Sequence, residues 1–412
     1  MREKAAQQWL EGQLPAMEEA LRALVEVNSF SANPDGGREV GRRLARLFDI
    51  PGLAHEVVPS TRFADHHVFR STGDGRAPIG LVGHLDTVFP PGVFEGYRVD
   101  GDKRRGPGVL DMKGGLVVIA WAVKAVARVA GLDVVPPLRI VVVADEEVGS
   151  PEGAPLIRQE LAGAQACLVF ESGRANDAIV VERKGTGNVT ARAHGRAAHA
   201  GNNYWDGANA IWSLARFVDR AQALSNRDSG VTVNVGTFAG GTSRNTVPAE
   251  ASCELDLRFP TASARATVLE QLDAAAKDVA VPGTRVELEV KGGRLPMEKV
   301  AGTDALLAKY RAAAEAVGLT AVAAPRAGGG SDGNTAASMG IATLDALGPR
   351  GQHFHTPDEY IEVGTLVPKA TAVARFLLAD DPPGAPVERD SHERELEGAE
   401  QARNIKPPTP KP

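Results

Sequence analysis

Along the first 180 residues, apolar positions follow two alternating rhythms. Residues 4–27 and 37–48 space their apolar side chains three and four apart with charged residues between, which predicts amphipathic helices. After them come short continuous apolar runs, APIGLVGHLDTV (77–88), PLRIVVVA (137–144) and ACLVFE (166–171), each of strand length and polar only at its C-terminal end. Strands apolar on both faces are those of a largely parallel sheet covered by helices. Residues 112–129 add a helix that stops at Gly131. Polar groups at the C-terminal ends of such strands are where α/β sheets build their sites.

From Arg183 the rhythm changes. Residues 187–193, 231–238, 249–259 and 285–291 read as strands, the first three alternating, while 206–224 and 262–279 carry helical periodicity. Their order, β-α-β-β-α-β, is that of a ferredoxin-like split βαβ unit. From Asp304 helix and strand alternate again, through IATLDAL (341–347), to a last helix over 363–378. The predicted fold is therefore an α/β body made of 1–183 and 297–380, with a smaller α+β unit, 184–296, inserted within it. Residues 381–412 turn Pro-rich and highly charged, ending KPPTPKP, and are expected to form a disordered tail. No internal repeat is visible.

Composition narrows the classes of function. The 412 residues are 43% hydrophobic and 24% charged, ample for a packed core of two or three domains. A formal charge of −6, with only 5% aromatic residues and no basic block, argues against nucleic acid as a partner. The N-terminus lacks the apolar core of a secretory signal, and the apolar run 115–130 contains Lys124 and Arg128 and is too short to span a bilayer. A cytoplasmic protein without membrane contact is the expectation. Cys167 and Cys253 lie in separate apolar runs and read as buried free thiols.

Of nine histidines, the company of a few suggests chemistry. His84 and Asp86 stand two apart at a strand end, so they face one side. They could be a metal ligand with its orienting partner, or a satisfied histidine and a loop-capping Asp. Asp111 follows the Gly-rich loop RGPGVLD and precedes a helix, as a ligand or as an N-cap would. Asp145, Glu146 and Glu147 end a buried strand, where three adjacent acids repel unless something positive neutralises them; a metal ion does this well. Glu171 ends the next strand in the same position, and His355 sits in the loop GQHFHTPDEY, where His353 reads as a surface residue. Nitrogen and oxygen donors without thiolates suit zinc or a related divalent ion. Two such ions need a bridging carboxylate, with one more carboxylate left free to activate water.

HLDTVFP, GPGVLDMKGG, DEEVGS, LVFES, HGRAAHAG and FHTPDEY, in that order, resemble the motifs of the co-catalytic zinc peptidase/deacylase family, which includes glutamate carboxypeptidase, acetylornithine deacetylase, succinyl-diaminopimelate desuccinylase and aminoacylase. The resemblance covers roughly residues 5–380 and is closest to the glutamate carboxypeptidase branch. It implies two Zn2+ per subunit, with Co2+ or Mn2+ as substitutes. His84 and Glu171 would hold one zinc, Glu147 and His355 the other, and Asp111 would bridge them. Glu146 would be the general base, and Asp86 would orient His84 or support the bridge. The inserted unit would pair two subunits into a homodimer, and its His199 would steady the oxyanion, often across that dimer. Without the resemblance, His199 is a turn histidine. Asn245, Arg258 and Arg294 fall on substrate-binding positions, Arg294 on one that grips a carboxylate; any of these arginines could instead serve a surface ion pair. GGGSDG, with Gly330 and Ser331, resembles the family's active-site loop. As a phosphate loop it fails, since no Lys-Ser or Lys-Thr follows.

The function implied is a di-zinc amidohydrolase acting on a carboxylate-bearing amino acid. Three rivals stand beside it: a deacylase for acetyl or succinyl groups, an aminopeptidase, and an inactive binding protein on the same fold. An aminopeptidase would call for an acidic pocket for the substrate amine. An inactive relative would be expected to have lost a ligand or the base, and every such position is filled.

Overall fold

The first predicted helix is two helices, Arg2–Glu11 and Leu14–Val25. Pro15 cannot continue a preceding helix, because it has no N–H to donate and its ring clashes with the turn before it, but it suits the first turn of a new one. Pro34–Leu47 follows, capped by Asn33, whose side chain accepts from the Gly36 amide. The structure, a computed structural model, describes residues 1–278 and 281–379. The expected tail, 381–412, lies outside the described residues.

Six strands form the main sheet, in the order Ala54–Val58, His66–Arg70, Leu138–Val143, Ile79–His84, Ala166–Val169 and Thr343–Leu344. The last four run parallel; the first two add an antiparallel hairpin at one edge. That hairpin was not expected, and the reason is physical. Its outer strand, AHEVV, is almost wholly exposed, and its inner one, HHVFR, hides two histidines among its buried positions, so neither shows an apolar run.

Both faces of the parallel part are covered. Leu81, Ile140 and Leu168 pack with the helices Gly114–Val129 and Leu366–Leu378, while Val82, Val141 and Val169 pack on the opposite face with Leu156, Ile157 and Ala336. Burial on two sides is why these strands read as continuous apolar runs. Gly115 lets the first of those helices approach closely, since a Cβ there would lie 2.1 Å from the Phe170 carbonyl oxygen. The loop carrying Asp111 is thereby drawn against the strand that leads to Glu171.

A second sheet is built entirely from residues between the fifth and sixth strands of the first. Its order is Thr232–Gly240, Glu250–Phe259, Gly185–His194 and Arg285–Arg294, antiparallel throughout. The helices Ala210–Gln222 and Ala262–Lys277 pack on one face around Phe217, Leu255, Leu257, Phe259 and Leu272. This is the expected β-α-β-β-α-β arrangement. The helix predicted from residue 206 begins at Ala210, because Asn209 caps it by accepting from the Trp212 amide. Where the chain enters and leaves this unit, Arg183 and Met297 exchange two backbone hydrogen bonds of 2.9 and 3.0 Å. A small third sheet, Gly351–Gln352, Tyr360–Glu362, Lys103–Arg105 and Arg98–Asp100, has strands too short for any period to show. Among the described residues no helix is long and apolar enough to cross a membrane, and both cysteines are buried and unpaired.

Candidate active site

Parallel register gathers the acids. His84 lies opposite Val143, and Val82 lies between Val141 and Val169, so the segments leaving all three strands emerge at one edge. That edge delivers Asp86, residues 145–147 and Glu171 to one place. The Asp111 loop and the loop before Tyr360–Glu362 close the cluster from outside.

There His84 Nε2 stands 3.4 Å from Asp111 Oδ1 and 3.7 Å from Glu171 Oε1. His355 Nε2 stands 3.4 Å from the other Asp111 oxygen, Oδ2, and 3.1 Å from Glu147 Oε2. Asp111 thus has one oxygen towards each histidine. His355 holds its place with a left-handed backbone, φ 63°, uncommon for a side chain of this size. The buried His84 Nε2, Asp111 Oδ1 and Glu147 Oε1 have no hydrogen-bond partner among the described residues. Unpartnered buried polar atoms are costly, so three facing one another call for a shared positive ligand. Donors bound to one ion at about 2.0–2.2 Å would stand at separations of this size. Two triplets, His84 with Glu146 and Glu171, and His84 with Asp111 and Glu147, each offer atoms within 4.8 Å of one another. The residues fit divalent metal.

The electrostatics agree. Burial, and then the Asp111 charge, push the Glu171 carboxyl up to about 8. Burial raises Glu147 as well, and Glu146 well above the usual carboxylate range. Burial opposes a charge on His84, yet Glu171, Asp111 and Asp86 outweigh it and raise that imidazole. The adjacent Asp111 and Glu147 carboxylates lift His355 to about 10. Asp111 is held low: burial favours its neutral form, but the adjacent His355 and His84 imidazoles prevail. Carboxylates that retain protons and imidazoles that gain them mark a cluster short of positive charge.

Around the cluster the structure separates functions that adjacency had merged. Asp145 turns away from it, and its Oδ2 accepts from the amides of Glu152 and Gly153, at 2.7 and 3.0 Å, at the start of the helix Gly153–Glu160. Only two of the three consecutive acids face the site. The Asp86 carboxylate accepts from the backbone amides of Glu146 and Glu147, at 3.2 Å each, and from the Ser31 hydroxyl at 2.7 Å. Its backbone carbonyl lies 3.0 Å from His84 Nδ1, which leaves Nε2 for the cluster. One residue therefore aligns the histidine and the two glutamates.

Glu359 and Lys113 escaped the sequence-based expectation. The Glu359 carboxylate accepts from the amides of Gly108, Leu110 and Asp111, fixing the loop that presents Asp111, and burial pushes it up to about 8. Lys113 is fully buried, donates to the Val27 carbonyl, and is pushed by burial down to about 7. Both sit inside recognised motifs, HTPDEY and LDMKGG. A charge within an otherwise buried segment was the available signal.

The expected substrate residues are dispersed. Gly330 lines the cleft of about 520 Å3 that holds Asp111, Glu146, Glu147, Glu171 and His355. Ser331 is a helix cap and donates to Asp345. Arg258 is paired with Asp256. Arg294 donates to Asp332 at 2.7 Å, to both the carboxylate and the backbone carbonyl of Glu146 at 2.9 and 3.0 Å, and to the Ser150 hydroxyl at 3.0 Å. His199, on a short two-stranded ladder, and Asn245, just before its other strand, are both exposed and lie outside the residues lining that cleft. His199 Nδ1 accepts from the amides of Gly201 and Asn202, both at 3.1 Å, which leaves Nε2 as the ring nitrogen able to donate elsewhere.

An α/β body with such a cluster at the ends of its parallel strands defines a metal-dependent hydrolase. The chain belongs to the peptidase family M20/M25/M40, whose model matches residues 80–379, and it is an enzyme acting on amide bonds. It is 27% identical to carboxypeptidase G2 of Pseudomonas sp. (strain RS-16) over 372 residues, 88% of this chain and 89% of that one. Among solved structures it resembles aminopeptidase PepT from Bacillus cereus ATCC 10987, with a TM-score of 0.72 and 24% identity, covering 88% of this chain and 98% of that one. It also resembles the Bacillus subtilis YXEP protein, described as a dinuclear metal-binding peptidase, with a TM-score of 0.67 and 17% identity, covering 89% of this chain and 98% of that one.

Proposed function

We propose that this chain is a two-zinc amidohydrolase of the glutamate carboxypeptidase type, cleaving the amide bond to a carboxylate-bearing amino acid. The observation that carries the proposal is the placing of two imidazoles and three carboxylates around shared orphaned atoms, with Glu146 beside them. His84 and Glu171 would hold one ion, Glu147 and His355 the other, and Asp111 would bridge. When bound, the ions would supply Lewis-acid polarisation of the amide carbonyl and acidify the attacking water.

The chain's own residues supply the rest. Arg294 fixes one carboxylate oxygen of Glu146, which leaves the other to take the proton of the attacking water. Burial raises Glu146 above the ordinary carboxylate range, so once protonated it is suited to pass that proton to the leaving nitrogen. The His199 Nε2–H is a ready donor for the developing oxyanion. Because His199 lies outside the cleft, we assign it to the site of a second subunit, with the inserted unit (184–296) as the pairing surface. Trp205, 89% exposed, and the exposed Trp212 and Phe238 on that unit support the pairing. So does the free edge of the strand Thr232–Gly240. Asn245 and Arg258 would contribute to binding from the same unit. Arg294 would take a substrate carboxylate only in exchange for one of its present partners.

Elemental analysis of active enzyme, alongside hydrolysis rates on N-acyl-glutamates, N-acetyl amino acids and dipeptides, tests the proposal. Two ions per chain and fastest release of a carboxylate-bearing amino acid are expected. One ion or none in fully active enzyme would overturn the two-metal assignment, and fastest turnover of simple N-acetyl amino acids would favour the deacylase.

A further inference from the structure

The cleft contains a guanidinium without a hydrogen-bonding or ion-pair partner among the described residues. Arg174 lies three residues beyond Glu171 and lines the same cleft as Asp111, Glu146, Glu147 and Glu171. The other arginines at or near the site are engaged. Arg183 donates to Asp345 at 2.7 Å and to the Gly329 carbonyl at 3.1 Å. Arg294 is held by Asp332 and Glu146. The Arg174 guanidinium makes no side-chain hydrogen bond or ion pair among the described residues. It is partly buried, and burial together with the neighbouring Arg183 charge disfavours its charged form.

The nearby acids do not answer that charge in the working enzyme. Asp345, Glu171 and Asp111 attract Arg174, but Asp345 is taken by Arg183, and on the proposed function Glu171, Asp111, Glu147 and Glu146 face two divalent ions. Those ions together carry as much positive charge as the four carboxylates carry negative. Arg183 is matched by Asp345, and Arg294 by Asp332. Arg174 then remains a cleft cation without an ion-pair partner among the described residues, planar and two-pronged, beside the carboxylates that would hold the metal. A guanidinium so placed is suited to a carboxylate from outside, whose two parallel oxygens match its fork.

We propose that Arg174 is a specificity-determining residue of this enzyme and binds a carboxylate of the substrate, either the side-chain acid or the terminal one. The inference rests on the amidohydrolase function proposed above and adds to it the group that selects an acidic substrate. It also gives the carboxylate a partner that need not first be released from Glu146.

The experiment compares the full-length, metal-loaded protein with Arg174→Met, which keeps the stem and removes the charge. Substrates are N-acyl-glutamate, N-acyl-glutamine and N-acyl-glutamate α-amide. The wild type should favour N-acyl-glutamate in kcat/KM over at least one neutralised analogue by about 100-fold, the scale of one desolvated charge pair. Arg174→Met should bring that ratio near one, leaving turnover of the neutralised analogue within about threefold. If the side-chain acid is read, the glutamine ratio collapses; if the terminal acid is read, the α-amide ratio does.

Binding of glutarate, set against its neutral diamide, supplies a readout independent of catalysis, and Arg174→Met should weaken glutarate by at least tenfold. Unchanged ratios and unchanged glutarate binding, with metal content preserved, would overturn the proposal. Wild-type protein that hydrolyses none of the three amides but binds glutarate through Arg174 would instead count against the amidohydrolase function and leave the carboxylate site standing.

Discussion

At the C-terminal edge of the main sheet, His84, Asp111, Glu147 and Glu171 expose between 1 and 10% of their side chains, crowd like charges together and leave buried atoms without partners. On the inserted unit, His199 and Asn245 are exposed, lie on and beside a two-residue ladder, and have their hydrogen bonds arranged locally. The first region has its groups in position but lacks the charge that would make them comfortable. The second has groups that are comfortable but not in position. On the proposed function, an apparatus divided in this way would need two completions: cations for the body, and a facing surface for the inserted unit. In the body, folding tolerates electrostatic conflict because core packing on both faces of the sheet fixes the strand ends that bear it.

Glu146 probes the body most sharply. Glu146→Gln should lower kcat by about 1,000- to 10,000-fold, the weight of a positioned general base, with metal content by elemental analysis unchanged. Loss of an ion from the variant would show that Glu146, not Glu147, is the ligand.

For the inserted half, His199→Ala should cost about 100- to 1,000-fold in kcat, as removal of an oxyanion donor does. Subunits of His199→Ala and Glu146→Ala should recover activity after dissociation and remixing, because each mixed dimer would hold one intact site. Absence of recovery in samples shown to have exchanged subunits would place His199 in its own chain's site, and a monomer by light scattering would remove the partition altogether.

Arg294 joins the two regions, running from the last strand of the inserted sheet to Glu146 and Asp332. Arg294→Ala should lower kcat by about 10- to 100-fold, equally on carboxylate-bearing and amidated substrates, since a misplaced base affects both alike. A loss confined to the carboxylate-bearing substrate would return Arg294 to carboxylate binding, as its sequence position first suggested.

The smallest effect concerns stability. Burial, reinforced by His55, pushes the His67 imidazole down to about 4, from about 6.5 in an unfolded chain. Above pH 6.5 the ring is neutral in both states. As the pH falls from there towards 4, the unfolded chain takes up a proton that the folded one refuses, so stability is lost, by about 3 kcal/mol at most. His67→Gln should flatten that part of the acid-denaturation curve relative to wild type. An unchanged slope would assign the acid sensitivity elsewhere in the body.

Much of this was legible in the sequence, for reasons that differ by region. The parallel strands showed as apolar runs because both faces are buried, and the polar residues ending them are those that the structure gathers into the candidate cluster. The inserted sheet showed through alternation and through helix caps such as Asn209. What stayed hidden lacked either signature. The edge hairpin is exposed on one strand and carries His66 and His67 on the other. The strands of the third sheet are two or three residues long. Adjacency misled at Asp145, because three consecutive acids cannot declare which of them turns to cap a helix. Arg174 and Glu359 matter through what surrounds them in space, or fails to, and no spacing along the chain encodes that.

The two hydrogen bonds between Arg183 and Met297 have a consequence for how such a protein can change over evolutionary time. They bring the entry and exit of more than a hundred residues side by side, so the body meets the inserted unit much as it would meet a short hairpin. Because the ends of the excursion already touch, whatever lies between them can be lengthened, replaced or lost without altering the span the body must bridge. The metal-gathering strands and the surface that accompanies them are thus free to diversify at different rates. On the proposed function, one hydrolytic centre could be refitted to new substrates by exchanging the module joined to it.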